Sequence, residues 1–264
     1  MKHARLTAVF AFYFLLQNCT EKTLAPNRPL QAEILPPNAK SIEIKISNLN
    51  AWVEQDKFFV TGICANMTSE WQKIWLEIVP LNQAGKPISI TKHSAVIIPT
   101  LSDAVPPNGR TSFFASWPLS AFSGMPFSCN VNSAGATPQV SGSILVVPMV
   151  NAMKMLVPPA PDQPATVEKA WQVSGSVNNP LPLIAAHPRL EVLIYGTDNH
   201  LWMATLLNPE DPTIKQFFHF EREGPLQPKE DRPFTLQIFY EGLPQALQQN
   251  KIGRVELLPF EARQ

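Results

Sequence analysis

"FFVTGICANMTS" (58–69) and "WQVSGSVNNPLP" (171–182) decide how this chain is read. Each has an aromatic residue, then Val, then Ser or Thr, then Gly, with an Asn four residues past the glycine. In the first copy Val60, Gly62 and Cys64 alternate with Phe59, Thr61 and Ile63, the period of two that sends successive side chains to opposite faces of a strand.

Further matches lie outward from this pair. "LEIVPLNQAGK" (76–86) answers "LEVLIYGTDNH" (190–200), and "PNGRTSFFASW" (107–117) answers "PKEDRPFTLQI" (228–238). "SGMP" (123–126) answers "EGLP" (241–244), and "GSILVVPM" (142–149) answers "GRVELLPF" (253–260). Five blocks in one order, about 110 residues apart, mark an internal duplication. Asn82–Gly85, Gly196–Asn199 and "VPPNG" (105–109) supply the Gly and Asn that tight turns favour. Ile42, Ile44 and Ile46 predict an extra strand at the front of the first copy.

Several short strands in a unit of about 100 residues predict an all-β protein of two tandem immunoglobulin-like β-sandwich domains. The 27 prolines agree, since proline is excluded from helix interiors and central strands. The expected boundaries are 41–154 for the first sandwich, 155–168 for a Pro-rich linker and 169–264 for the second. One larger β-domain with internal pseudosymmetry is the alternative.

The amino terminus has a basic start, Met1 to Arg5, then an apolar core from Leu6 to Leu16, too short to span a bilayer. Residues 1–18 are therefore expected to be an export signal. Leu16-Gln17-Asn18-Cys19 resembles a bacterial lipobox, in which a cysteine after a large aliphatic residue is acylated and becomes residue one. Gln17 and Asn18 depart from that pattern, where small residues are usual. The resemblance implies lipid attachment at Cys19, and residues 19–40, with four prolines after Cys19, are expected to be a tether.

The order Val-x-Gly-x-x-x-Asn, a strand ending near Tyr, and a Pro/Gly turn before a Phe-led strand is similar to FxLYD-type bacterial sandwich domains. Gly62 and Asn66, Gly175 and Asn179, and Leu193-Ile194-Tyr195 carry the resemblance. Gly196 stands where that family has aspartate, and Leu81 replaces the tyrosine in the first copy. The resemblance implies an extracytoplasmic module without catalysis.

With Cys19 acylated, Cys64 and Cys129 remain, either as a disulfide or as two separate buried thiols. No nucleophile, zinc, phosphate-loop or dinucleotide motif occurs, so no enzyme activity, cofactor or metal is expected. Asp198-Asn199-His200 reads as a turn, and Asn66 of the sequon Asn66-Met67-Thr68 as a structural turn residue. Without its leader the chain has 19 basic and 21 acidic residues (Lys2 and Arg5 removed) and no basic stripe, which argues against nucleic acid. Trp71 and Trp75 are candidate exposed binding aromatics, because Trp75 aligns with Arg189 and so with an outward-facing position.

The expected function is a membrane-anchored, non-enzymatic interaction or structural module of the bacterial cell envelope. It would be bound to the membrane by its lipid and to a protein partner. Alternatives are an accessory subunit of an envelope transport or secretion assembly, and a carbohydrate- or ligand-binding surface protein.

Overall fold

The computed structural model describes residues 32–91, 93–142, 144–147, 150–156, 168–211, 218–239, 243–250 and 252–261. The expected signal peptide, Cys19 and most of the tether lie outside these residues.

The chain is all-β. The first unit contains β1 (Ile44–Glu54), β2 (Lys57–Asn66), β3 (Gln72–Leu81), β4 (Val96–Pro99), β5 (Arg110–Pro118) and β6 (Ser128–Pro138). The second contains β7 (Val150–Leu156), β8 (Glu168–Asn178), β9 (Pro188–Gly196), β10 (Leu201–Leu207), β11 (Phe218–Phe220), β12 (Asp231–Phe239), a short helix α1 (Gln245–Asn250) and β13 (Ile252–Glu261). The sheets are ordered β1-β2-β5 and β4-β3-β6 in the first unit, and β11-β12-β8-β7 and β10-β9-β13 in the second. Apart from the added β11, the two units repeat one topology, so the duplication is real. Each sandwich closes over its own core, around Phe58, Val60, Ile74, Leu76 and Phe113 in one and Val173, Val192, Ile194, Phe234 and Leu236 in the other.

The repeated glycine and asparagine have separate tasks. Gly62 pairs with Phe113 across the sheet, and Gly175 pairs with Phe234 in the same way. A Cβ on Gly62 would come within 2.6 Å of the Phe113 ring, so the glycine makes room for the phenylalanine. Asn66 Nδ2 donates to the carbonyls of Glu70, Val105 and Pro106, at 2.8, 3.1 and 3.1 Å. Asn179 Nδ2 donates to Leu183, Leu226 and Gln227, at 2.6, 3.3 and 3.2 Å. Each asparagine thus ties its strand end to the two loops beside it. Both are fully buried, so the sequon at Asn66 offers no room for a glycan.

Three expectations change. The fifth block was placed at 142–149, yet the strand equivalent to β13 is β6: β6 pairs with β3 as β13 pairs with β9. The front strand β1 is not unique to the first copy, since β7 pairs with β8 as β1 pairs with β2. The boundary moves as well. Leu145 packs in the second core and Val146 bridges Asn178, so the second unit begins near 145, and the prolines of the expected linker, at 158–164, come between its first two strands in sequence.

The segment expected to end the tether is part of the fold. The Glu33 N–H donates to the Ile97 carbonyl (2.9 Å), and Lys40 bridges Ala136. Residues 33–40 therefore run from β4 to β6 as a strap over the outer face of the first unit.

Candidate functional site, the junction of the two sandwiches

The units are consecutive in sequence but stacked in space. The outer face of β1-β2-β5 meets the outer face of β10-β9-β13, and Ile63, Leu193, Tyr195 and Leu201 form a small core between them with Leu258 against it. In β9, Leu190, Val192 and Ile194 fill the second sandwich while Glu191, Leu193 and Tyr195 point to the first, so both faces of the strand are buried. At one end Trp52 packs edge-on to Trp202 at 5.0 Å and stacks on Phe59 at 5.2 Å. A bulge between Ser47 and Asn50 bends β1 here, with Asn48 at φ 50°. From it Asn48 Nδ2 donates to the Tyr195 hydroxyl (3.3 Å) and Asn50 Nδ2 to the Leu201 carbonyl (3.1 Å).

Glu191 holds the other end. Its Oε1 accepts from the Thr111 hydroxyl at 2.6 Å, and its Oε2 accepts from the Ser112 N–H at 2.7 Å and the Ser112 hydroxyl at 2.6 Å. The side chain belongs to the second unit and these donors to the first. Burial pushes Glu191 up to about 7, against the pull of the hydrogen bonds from Ser112, Thr111 and the Ser102 backbone. Nearby, Arg110 pairs with Glu256 at 2.8 Å, the Tyr195 hydroxyl donates to Glu256 at 3.1 Å, and the Arg254 guanidinium lies 3.9 Å from the Tyr195 ring centre.

Beside Glu191 a cleft of about 200 Å³ opens between the units, with Trp71, Pro106, Arg110, Leu145 and Phe260 among its walls. A second concavity, about 550 Å³, lies on the second unit among Pro209, Glu210, His219 and Glu223. Among the described residues no three His, Cys, Asp or Glu side chains gather as a metal centre. Asp198 accepts from the Trp202 indole and the His200 backbone, as a turn residue does.

The candidate residues from the sequence fall as follows. Trp71 is half-buried and lines the cleft. Trp75 faces outward, as its alignment with Arg189 required, but it is not exposed: the strap covers it. Its indole N–H donates to Glu33 Oε2 at 2.9 Å and Lys73 Nζ lies 5.1 Å from its ring centre. The paired-tryptophan docking site is therefore corrected to one half-buried residue, Trp71. Cys64 and Cys129 are free, not bridged. Cys64 lies two residues from Asn66, whereas Cys129 opposes Pro80 at the far end of the sandwich. Seven or so strand residues separate those levels, on the order of 20 Å, beyond any disulfide. Cys19 lies outside the described residues.

These features define the molecule's class: an all-β protein of two duplicated sandwiches joined face to face. No family model and no curated protein matches the sequence. Among solved structures, red sea bream transglutaminase matches at 12% identity and TM-score 0.21, over 74% of this chain and 27% of that one. The exo-chitosanase CsxA of Amycolatopsis orientalis matches at 11% identity and TM-score 0.24, over 81% of this chain and 26% of that one. The chain thus spans about a quarter of the length of each.

Proposed function

We propose that this chain is a non-enzymatic interaction module of the bacterial envelope, held outside the cytoplasm by a lipid on Cys19. The use made of Glu191 carries the reading. A buried acid with a raised proton affinity is the kind of group that catalysis draws on, but here both oxygens are taken by Thr111 and Ser112 of the facing sheet. The acid holds two modules in register, which suits a rigid block that presents its surface to a protein partner. The lipobox-like Leu16-Gln17-Asn18-Cys19 and the proline-rich segment after it support the anchor.

Fractionation of cells expressing the wild type and Cys19→Ala, with mass spectrometry of the mature terminus, tests the placement. An acylated Cys19 as first residue, and loss of membrane association in the variant, are the expected results. A mature terminus elsewhere, or identical fractionation of the two proteins, contradicts it.

A further inference from the structure

The duplication sets the outer faces of the four described sheets against one another, position by position. Two of them, β1-β2-β5 and β10-β9-β13, are joined at the junction. The pairings Gly62–Phe113 and Gly175–Phe234 align the first of these with its counterpart on the second unit, β7-β8-β12. There Phe59, Ile63 and Phe114 become Gln172, Ser176 and Thr235. Ser112, whose N–H and hydroxyl hold Glu191, becomes Pro233, which has neither group. That face is polar and cannot repeat the junction.

The remaining face, on β4-β3-β6, is the counterpart of the one that carries Glu191. Ile74, Leu76 and Ile78 fill the first core, so the period of two turns Lys73, Trp75, Glu77, Val79 and Leu81 outward. Glu77 matches Glu191 in the aligned "LEIVPL" and "LEVLIY". The strap, not a sandwich, lies on this face. The Glu33 N–H bonds the Ile97 carbonyl at one edge, and Lys40 exchanges two bonds of 2.8 Å with Ala136 at the other. Leu35 and Ala39 pass over Gly135, where a Cβ would lie 3.4 and 3.1 Å from them. Glu33 also brings a carboxylate to the Trp75 indole. The hold is slight: of residues 32–40 only Leu35, Pro36 and Ala39 are half-buried, and Ile34 is 95% exposed.

We infer that residues 33–40 are an autoinhibitory cap over a latent self-association face, and that with the cap displaced two copies meet β3 against β3 about a two-fold axis at Trp75. The occupant follows by elimination. Two of the other described faces are taken and the third is polar, so the apolar sheet face left to receive this one is its own copy. The charges agree. Lys73 and Glu77 stand two residues to either side of Trp75. Under that rotation, with the two β3 strands antiparallel, Lys73 of each copy lies over Glu77 of the other, a self-complementary contact. The inference does not depend on the envelope placement.

Sedimentation velocity on Cys19→Ser protein tests it, with the cap loosened by Glu33→Lys, Leu35→Asp and Ala39→Asp. The capped chain should be monomeric at roughly 20 μM, and the loosened chain a dimer with a Kd of about 1–10 μM. In the loosened chain Trp75→Arg, the residue the second unit has there, should abolish the dimer. Glu77→Lys should weaken it roughly 10-fold, and adding Lys73→Glu should restore it. Circular dichroism checks folding. A protease site inserted after the exposed Lys40, cut in the folded protein, frees the strap without altering the face. A folded, uncapped chain still monomeric at roughly 100 μM overturns the inference. So does a capped chain that dimerises equally well, or a dimer indifferent to the exchange of charges. An uncapped monomer that floats with phosphatidylethanolamine–phosphatidylglycerol vesicles overturns it too, because the face would then bind lipid.

Discussion

Glu191 of the second sandwich accepts two hydrogen bonds from Ser112 of the first, 2.7 Å from the backbone N–H and 2.6 Å from the hydroxyl. Its affinity for a proton is raised on folding, from the ordinary 4.5 to about 7. Between those values the folded chain holds a proton that the unfolded chain releases, so this contribution to stability falls as pH rises through the window and is level above it. The full change is of order 3 kcal/mol. Cys64 and Arg110, the latter paired with Glu256, lie beside Glu191. Thermal melts from pH 5 to pH 8 should show wild-type stability decreasing, and Glu191→Gln should flatten that slope because its amide is neutral throughout. An unchanged slope in the variant contradicts the assignment.

Asn66→Ala and Asn179→Ala should both destabilise, since each removes a buried amide that bonds three carbonyls. Asn66→Ala should cost more, because its Oδ1 also accepts from the Thr68 N–H and hydroxyl while the Asn179 oxygen is unmatched. Leaving those carbonyls unmatched costs roughly 3 kcal/mol per site. Urea titration of the two variants measures this. A large loss at one site beside a negligible loss at the other would break the equivalence of the units.

Trp75→Ala should cost about 3–5 kcal/mol, as truncation of a buried aromatic does, because the side chain is 3% exposed beneath the strap. Glu33→Ala removes only the bond to its indole and should cost about 1 kcal/mol. Chemical denaturation distinguishes these outcomes from the near-zero change of a solvent-facing tryptophan.

Native Cys64 and Cys129 should resist maleimide. Burial pushes both thiols up to about 12, with the Glu191 charge adding to the effect at Cys64, so almost no thiolate exists at neutral pH. Mass spectrometry after labelling should find these two unmodified in folded protein and modified after unfolding in guanidinium. A mass loss from a Cys64–Cys129 bridge would contradict the separation of the two.

The fold was legible where local chemistry repeats. Gly62 with Phe113 and Gly175 with Phe234 are strand partners whose pairing recurs in both copies, and Asn66 and Asn179 reappear because each closes the same two loops. Strand β6 was hidden by its composition: "SCNVNSAGATP" is rich in the Asn, Ser and Gly of turns. Its partner β3 supplies what the local sequence lacks. Strand β7 was hidden beside a proline run that reads as a linker. The site was less legible. In "PRLEVLIYG" the period of two puts Glu191, Leu193 and Tyr195 on a face that one sandwich would turn to water. The near-continuous apolar run was the available sign that β9 is covered on both sides. Nothing local foretold that the covering sheet belongs to the other unit, or that residues 33–40 fold back over Trp75.

The central claim is that two duplicated sandwiches stack face to face through the sheets that carry Ser112 and Glu191. Small-angle X-ray scattering at a concentration where the protein is monomeric tests it most directly. A stacked block of this size should give a radius of gyration of about 18 Å, close to the compact single-body value. A value of about 24 Å or more, expected for two sandwiches set end to end, would contradict the account.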